Sequence, residues 1–153
     1  MKDNFLESDS LSKVIFGINR IQSAPTINHV KAIDSVYNEF TALGINQVCC
    51  VSFTDVPFFT LLMPKYSKQI KFIQDLDSLI EYQRLLGKKG HPEYLKQYWQ
   101  FACIIKNNVV QYYIEQPLTG KLGVDTNKKI YSEVGPEKVL NVLRSGSSIG
   151  PIV

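Results

Sequence analysis

The chain has 153 residues, 44% of them hydrophobic and 20% charged, and its formal net charge is +3 at pH 7. This size and composition predict one globular domain with its own core, while the small charge and scattered lysines argue against a nucleic-acid-binding surface. No apolar stretch approaches the roughly 18 residues that span a bilayer, and the first residues lack the pattern of a secretory leader, so we expect a cytoplasmic protein without a membrane segment.

The first part of the chain alternates apolar strands with a long helix. Residues 13–18 predict a short buried strand, and residues 26–43 carry apolar side chains at three- and four-residue steps, typical of a helix that Gly44 ends. Residues 47–53 predict a second strand, and its unbroken apolar centre is typical of a parallel strand covered on both faces.

The middle of the chain predicts shorter elements. Asp55 is expected to cap a helix of about two turns that Pro64 limits. Residues 70–73 predict a third strand, and a further helix is expected to end at Leu86, before a glycine.

The last part of the chain predicts a hairpin and a closing helix. Residues 99–106 and 109–115 have strand composition, and Asn107-Asn108 between them tolerates the positive φ that a hairpin turn requires. A final helix is expected to begin at Gly135-Pro136 and to turn three apolar side chains inward: Val139, Leu140 and Leu143.

The order of these elements predicts an α/β fold. Strands separated by helices require parallel crossovers, and the hairpin adds antiparallel strands. The result is a mixed central sheet flanked by helices on both faces, an order that resembles the thioredoxin-like folds. We expect this domain to cover residues 13–145, between an N-terminal extension over 1–12 and a flexible tail over 146–153.

The three cysteines do not predict a disulfide framework, because their number is odd and their neighbours are apolar. Cys49 and Cys50 are adjacent in a predicted strand, so their side chains point to opposite faces and cannot jointly bind one metal. With Cys103 they are expected to be free buried thiols. His91, in a Gly-His-Pro loop without ligands at metal-binding spacing, is expected at the surface. We predict neither a metal nor a cofactor.

Five segments resemble, in the same order, segments of one known family: YNEFTALGI from Tyr37, VCCVSFTD from Val48, IKFIQDLD from Ile70 with LLG at 85–87, FACIIKNNVV from Phe101, and GPEKVL from Gly135. The family is the type-five peroxiredoxins, of the AhpC/TSA-like redoxin group. The resemblance extends from about Lys13 to Leu143, and it implies a peroxiredoxin-like version of the thioredoxin fold.

The active-site loop of that family reads Pro, three residues, Thr or Ser, two residues, Cys. Aligned on the end of the first strand, the resemblance places Asn19 at the Pro, Ser23 at the Thr, and Thr26 or Ile27 at the Cys. Gln100 stands where the family has a sheet arginine. A hydroxyl is scarcely ionised at neutral pH, and an amide carries no charge to stabilise a thiolate, so peroxide reduction lacks its nucleophile and its cation.

We therefore interpret the chain as a peroxiredoxin-like pseudo-enzyme that serves as a binding or regulatory module. A remnant pocket at Ser23, Thr26 and Gln100 is expected to accept a small ligand or a protein partner. The alternative function is a thiol-dependent peroxidase or oxidoreductase that uses a displaced cysteine, Cys50 or Cys49. Against it, thiols inside an apolar strand have a raised pKa and poor access. A structural subunit of a larger complex is a third interpretation.

Thr26 itself offers a further hypothesis, in which its hydroxyl is the nucleophile. His29 lies three residues on and would act as the base, with Asp34 or Asp55 to orient it. The simpler interpretation is that Thr26 caps the helix and that His29 is an exposed residue of its first turn.

Phe58 and Phe59 belong to a segment that is apolar nearly all round. Two phenylalanines on a short helix are hard to bury at once in a small domain, and the corresponding helix of the resembling family contributes to a dimer contact. We therefore predict a homodimer with these residues in its interface.

Overall fold

Five strands and four short helices make up the part of the chain that the computed structural model describes, which covers residues 12–18, 24–52, 63–74, 100–107, 109–115 and 134–145. The strands are β1 (Lys13–Gly17), β2 (Gln47–Ser52), β3 (Lys71–Gln74), β4 (Phe101–Lys106) and β5 (Val109–Glu115). The helices are α1 (Ala24–Ser35), α2 (Tyr37–Ala42), a 3₁₀ helix (Met63–Tyr66) and α3 (Pro136–Ser145).

The strands form a single mixed sheet in the order β3-β2-β1-β4-β5. β1 pairs with β2 and β2 with β3 in parallel, whereas β4 is antiparallel to both β1 and β5. This confirms the predicted α/β architecture, with crossovers in the first half of the chain and a hairpin in the second.

Both faces of the central strands are buried. On one face, Phe16 of β1 and its same-side neighbours pack against apolar residues of all three α-helices: Val30, Ile33, Phe40, Val139 and Leu140. The opposite face is equally inaccessible to solvent, because Ile15 and Cys103 are fully buried there. The helix predicted up to Leu86, which was expected to help cover the sheet, lies outside the described residues.

Two turns follow the sequence predictions closely. Gly44 ends α2 in a backbone conformation with φ of +92°, and its N–H donates to the carbonyl of Thr41. Asn107 has φ of +53° in the turn between β4 and β5. Asparagine tolerates this left-handed conformation better than other side chains, so the composition of the turn explains its position.

The long helix predicted over residues 26–43 is in fact two helices. α1 begins earlier, at Ala24, and the helical path is interrupted at Val36, which has φ of −115° and ψ of 16°. At the interruption the Val36 N–H donates to the carbonyl three residues back, and the Ser35 hydroxyl donates to the carbonyl of Ala32. Such local bonds compete with the helical pattern and bend it.

The five strands and α3 begin and end within two residues of their predicted positions. The 3₁₀ helix Met63–Tyr66 was not predicted, and it includes Pro64, which was expected to limit the helix before it. α3 begins at Pro136, with Leu140 buried and Leu143 packed against the core. Asp55, residues 1–11 and residues 146–153 lie outside the described ranges. Among the helices just given, none is long and apolar enough to cross a bilayer.

Candidate functional site

β1 lies between β2 and β4 in the sheet. We call the edge of the sheet at which β1 ends the carboxyl edge. Gly17, the last residue of β1, pairs with Val51 of β2 and with Phe101 of β4. The next position on each of these strands therefore lies in one row across the sheet, and it is occupied by Ile18, Ser52 and Gln100. Because α1 follows β1 in the chain, the first turn of α1 lies near the same edge.

Polar side chains are buried at this edge on the face that α1 covers. Strand alternation places Ser52 and Gln100 on the same face as Phe16. Ser52 is fully buried, Gln100 is 6% exposed, and Thr26 in the first turn of α1 is fully buried. With His29 they form what we call the polar cluster: Thr26, His29, Ser52 and Gln100. Each of the four side chains or its backbone makes at least one interaction with the rest of the protein.

The Phe101 side chain, at the start of β4, packs closely against the backbone of Gly17. The Phe101 ring lies over Gly17 so tightly that a Cβ on Gly17 would come within 2.1 Å of a ring carbon. The ring also contacts Tyr113 of β5, with ring centroids 6.1 Å apart. Glycine at position 17 is therefore required for Phe101 to pack here, and this packing holds Gln100 beside the end of β1.

The structure corrects the expectation that His29 is exposed. The imidazole is 5% exposed and meets the Phe16 ring edge-on, with centroids 5.6 Å apart and planes at 83°. Burial lowers the pKa of His29 to about 3, because the charged form loses its hydration. His29 is therefore neutral at physiological pH.

This environment argues against Thr26 as a nucleophile with His29 as its base. A base with a pKa about four units below neutrality has little driving force to take a proton from a hydroxyl. Asp34 is engaged elsewhere, since its carboxylate accepts a hydrogen bond of 3.2 Å from the Gln69 side chain. Thr26 is not the helix cap either, because α1 begins two residues before it.

The three cysteines are free thiols buried in the sheet. Burial, and then the electrostatic interaction with the neighbouring Cys49, raise the pKa of Cys50 well above its ordinary value. The same two causes raise the pKa of Cys103, and a hydrogen bond from the Ile15 backbone opposes them weakly. Both thiols therefore stay protonated at neutral pH and make poor nucleophiles.

Disulfide formation within the sheet is prevented by its register. Cys49 and Cys103 lie on either side of Ile15, one on each neighbouring strand. Two strand spacings separate their Cα atoms by roughly 9–10 Å, whereas a disulfide needs less than about 7 Å. Cys50 points to the other face of the sheet.

Several residues singled out in the sequence lie outside the described residues: Ser23, Asp55, Phe58, Phe59 and His91. Of the predicted remnant pocket, Thr26 and Gln100 are therefore the members with a known position, and both lie at the carboxyl edge. Sequence reasoning missed Ser52 there. The signal was available, because β1 and β2 are parallel and neighbouring parallel strands end at the same edge. Within the described ranges, no group of His, Cys, Asp and Glu side chains could hold a metal ion.

Comparison with known proteins identifies the fold. No family model and no curated protein sequence matches the chain. Among solved structures, reduced Prx3 from Vibrio vulnificus in complex with H2O2 is 17% identical over 88% of this chain and 79% of that one, with a TM-score of 0.65. Peroxiredoxin Q from Xanthomonas campestris is 15% identical over 90% of this chain and 80% of that one, with a TM-score of 0.59.

A third structure, peroxiredoxin 5 from Alvinella pompejana, is 18% identical over 71% of this chain and 72% of that one, with a TM-score of 0.54. At these identities the likeness defines the fold class and nothing finer. The chain has the thioredoxin-like fold of the peroxiredoxins, which confirms the fold predicted from its sequence.

Proposed function

We propose that this chain is a member of the peroxiredoxin family that has lost peroxidase chemistry and acts as a binding or regulatory module. One observation carries the proposal. The carboxyl edge, where the first turn of α1 meets the sheet, presents Thr26 and Gln100, and the sequence contains no cysteine before Cys49.

The chemistry of peroxide reduction explains why these residues matter. The reaction needs a thiolate, and a thiolate at neutral pH needs a helix N-terminus or a cation to stabilise it. With His29 neutral, the polar cluster carries no charge: it consists of two hydroxyls, an amide and an imidazole. An uncharged set supplies no cation to stabilise a thiolate, which supports the loss of peroxidase chemistry.

The test is peroxide consumption with dithiothreitol or thioredoxin as reductant. The native chain is compared with a variant in which Cys49, Cys50 and Cys103 are all replaced by alanine, after circular dichroism has shown that the variant is folded. We expect both proteins to consume peroxide at the background rate. Turnover by the native chain that the cysteine-free variant lacks would overturn the proposal, because a native thiol would then be reachable and activated.

A matched pair of substitutions tests the alignment of the lost nucleophile. Thr26→Cys and Ile27→Cys each add one thiol to the first turn of α1 in the cysteine-free background. Thr26 is fully buried and Ile27 is partly buried, so exposure alone favours reaction at position 27. A faster reaction of the thiol at position 26 would therefore support Thr26 as the position of the nucleophile, and no reaction there would count against it.

We also propose that the chain forms a homodimer through the segment that contains Phe58 and Phe59. The support is the composition of the segment: a short apolar helix is predicted there, and a small domain cannot easily bury both of its phenylalanines. Sedimentation should show a dimer at tens of micromolar, and Phe58→Ser with Phe59→Ser should shift it to monomer. A native chain that sediments as a monomer would exclude this interface.

A further inference from the structure

Three exposed lysines and one partly buried tyrosine lie on the surface that α1 shares with the 3₁₀ helix. We call this surface the lysine–tyrosine patch: Lys31, Lys65, Tyr66 and Lys68. Lys31 belongs to α1, and the other three belong to the 3₁₀ helix and the residues that follow it. The ammonium nitrogen of Lys31 lies 5.7 Å from the centroid of the Tyr66 ring, and that of Lys65 lies 5.2 Å from it. One ring therefore holds two cations from different elements close together.

The patch stands on a well-fixed backbone. Met63 is buried at the start of the 3₁₀ helix, and the Tyr66 ring packs against the core. The buried Ser67 hydroxyl accepts hydrogen bonds from the N–H groups of Gln69 and Ile70, at 3.2 and 3.1 Å. The positions of the lysines are thus set before any partner arrives, which lowers the entropy lost on binding.

Among the described residues, no carboxylate forms an ion pair with a lysine of the patch. Within the ranges that the structure describes, neither Lys31, Lys65 nor Lys68 has an acidic group within 4.0 Å. The local carboxylate, Asp34, accepts a hydrogen bond from Gln69. Two ammonium groups beside one ring concentrate positive charge on this surface, and that charge attracts an anion.

We propose that the lysine–tyrosine patch binds an acidic segment of a partner polypeptide. Three separate ammonium groups, each on its own backbone position, match carboxylates spaced along a chain, and lysine binds such groups as a point charge. Single-stranded nucleic acid is a poorer fit, because it stacks bases on open aromatic faces. Lysine ammonium groups lie over the Tyr66 ring, and the ring also packs against the core. Little of the ring surface is therefore accessible for a base to stack on.

This surface goes beyond the proposed loss of peroxidase chemistry and does not depend on it. The patch contains none of the polar cluster and none of the cysteines. A positive peroxide assay would therefore leave the patch in place, and a failure of the patch would leave the assignment at the carboxyl edge untouched.

The experiment titrates the full chain with a synthetic ten-residue peptide of alternating glutamate and serine, and with the same peptide carrying glutamine for glutamate. Amide chemical shifts report where each peptide binds. We expect the glutamate peptide to shift residues 63–70 and the second half of α1, with an affinity that falls as salt is added. The double variant Lys31→Glu/Lys65→Glu should lose about tenfold in affinity or more.

Two variants separate the patch from net charge. Lys138→Glu makes the same kind of charge change on α3, and it should alter the affinity less than twofold. Lys31→Gln/Lys65→Gln removes the cations without adding acids, and it should still weaken binding several-fold. Equal binding of the glutamine peptide, or an equal loss in Lys138→Glu, would overturn the proposal. Tighter binding of a ten-nucleotide oligothymidylate at the same residues would also overturn it.

Discussion

The neutral, buried imidazole of His29 makes a quantitative prediction about acid stability. Its pKa is about 3 in the folded chain and 6.5 when exposed. Protons therefore bind the unfolded chain more tightly, so the contribution of His29 to stability is complete above pH 6.5 and is lost as the pH falls from there toward 3. At about 1.36 kcal/mol per pH unit, lowering the pH from 7 to 5 should reduce the free energy of unfolding by about 2 kcal/mol.

The assay is urea unfolding at several pH values between 5 and 7.5, for the native chain and for His29→Gln. Glutamine keeps a polar side chain but does not titrate, so the variant should lose about 2 kcal/mol less than the native chain over this range. Other titrating groups, His91 included, are present in both proteins and cancel in the difference. If both proteins lose stability equally with pH, His29 is not buried in the neutral form and the packing described against Phe16 is wrong.

Three further predictions concern the sheet. Gly17→Ala should destabilise the fold by about 1–3 kcal/mol in urea unfolding, since the new methyl group would clash with Phe101, and Phe101→Leu should recover part of the loss; a neutral Gly17→Ala would contradict the close approach. Asn107→Val should cost about 1–2 kcal/mol in the same assay because its φ is positive, whereas Asn107→Gly should be tolerated; equal stability of the two would refute the turn geometry. Iodoacetamide at pH 7.5, with mass spectrometry to count the labelled thiols, should label none of the three cysteines until urea is added. Rapid labelling of the native chain would show an accessible thiol and contradict the burial of the cysteines.

The sheet was predictable because its strands are short apolar runs bounded by turn residues. β1 and β2 have centres buried on both faces, and such strands show no alternation to be misread. The hairpin was predictable because Asn107-Asn108 interrupts two β-branched runs. These local signals put Gln100 inside a strand predicted over residues 99–106, whereas β4 begins one residue after it, at Phe101.

The break at Val36 could not be predicted, because the apolar spacing continues through it. After the break, Phe40 of α2 meets the Phe16 ring of β1, with centroids 6.2 Å apart, and such a tertiary contact leaves no local pattern in the sequence. The burial of His29 escaped prediction for the same reason. The residues around His29 give no signal that this face of α1 packs on the sheet, and a polar residue near the start of a helix usually faces solvent.

The central position of β1 sets when this chain can fold. β1 pairs on one side with β2, which follows soon after it, and on the other side with β4, which comes far later in the sequence. During synthesis on a ribosome, β1 therefore has no partner strand on one side until residues 101–106 have emerged. Contacts so distant along the chain slow folding, and an apolar strand with an open edge is exposed to aggregation in that interval. The partly synthesised N-terminal portion, with β1 paired on one side alone, is therefore the state most exposed to aggregation.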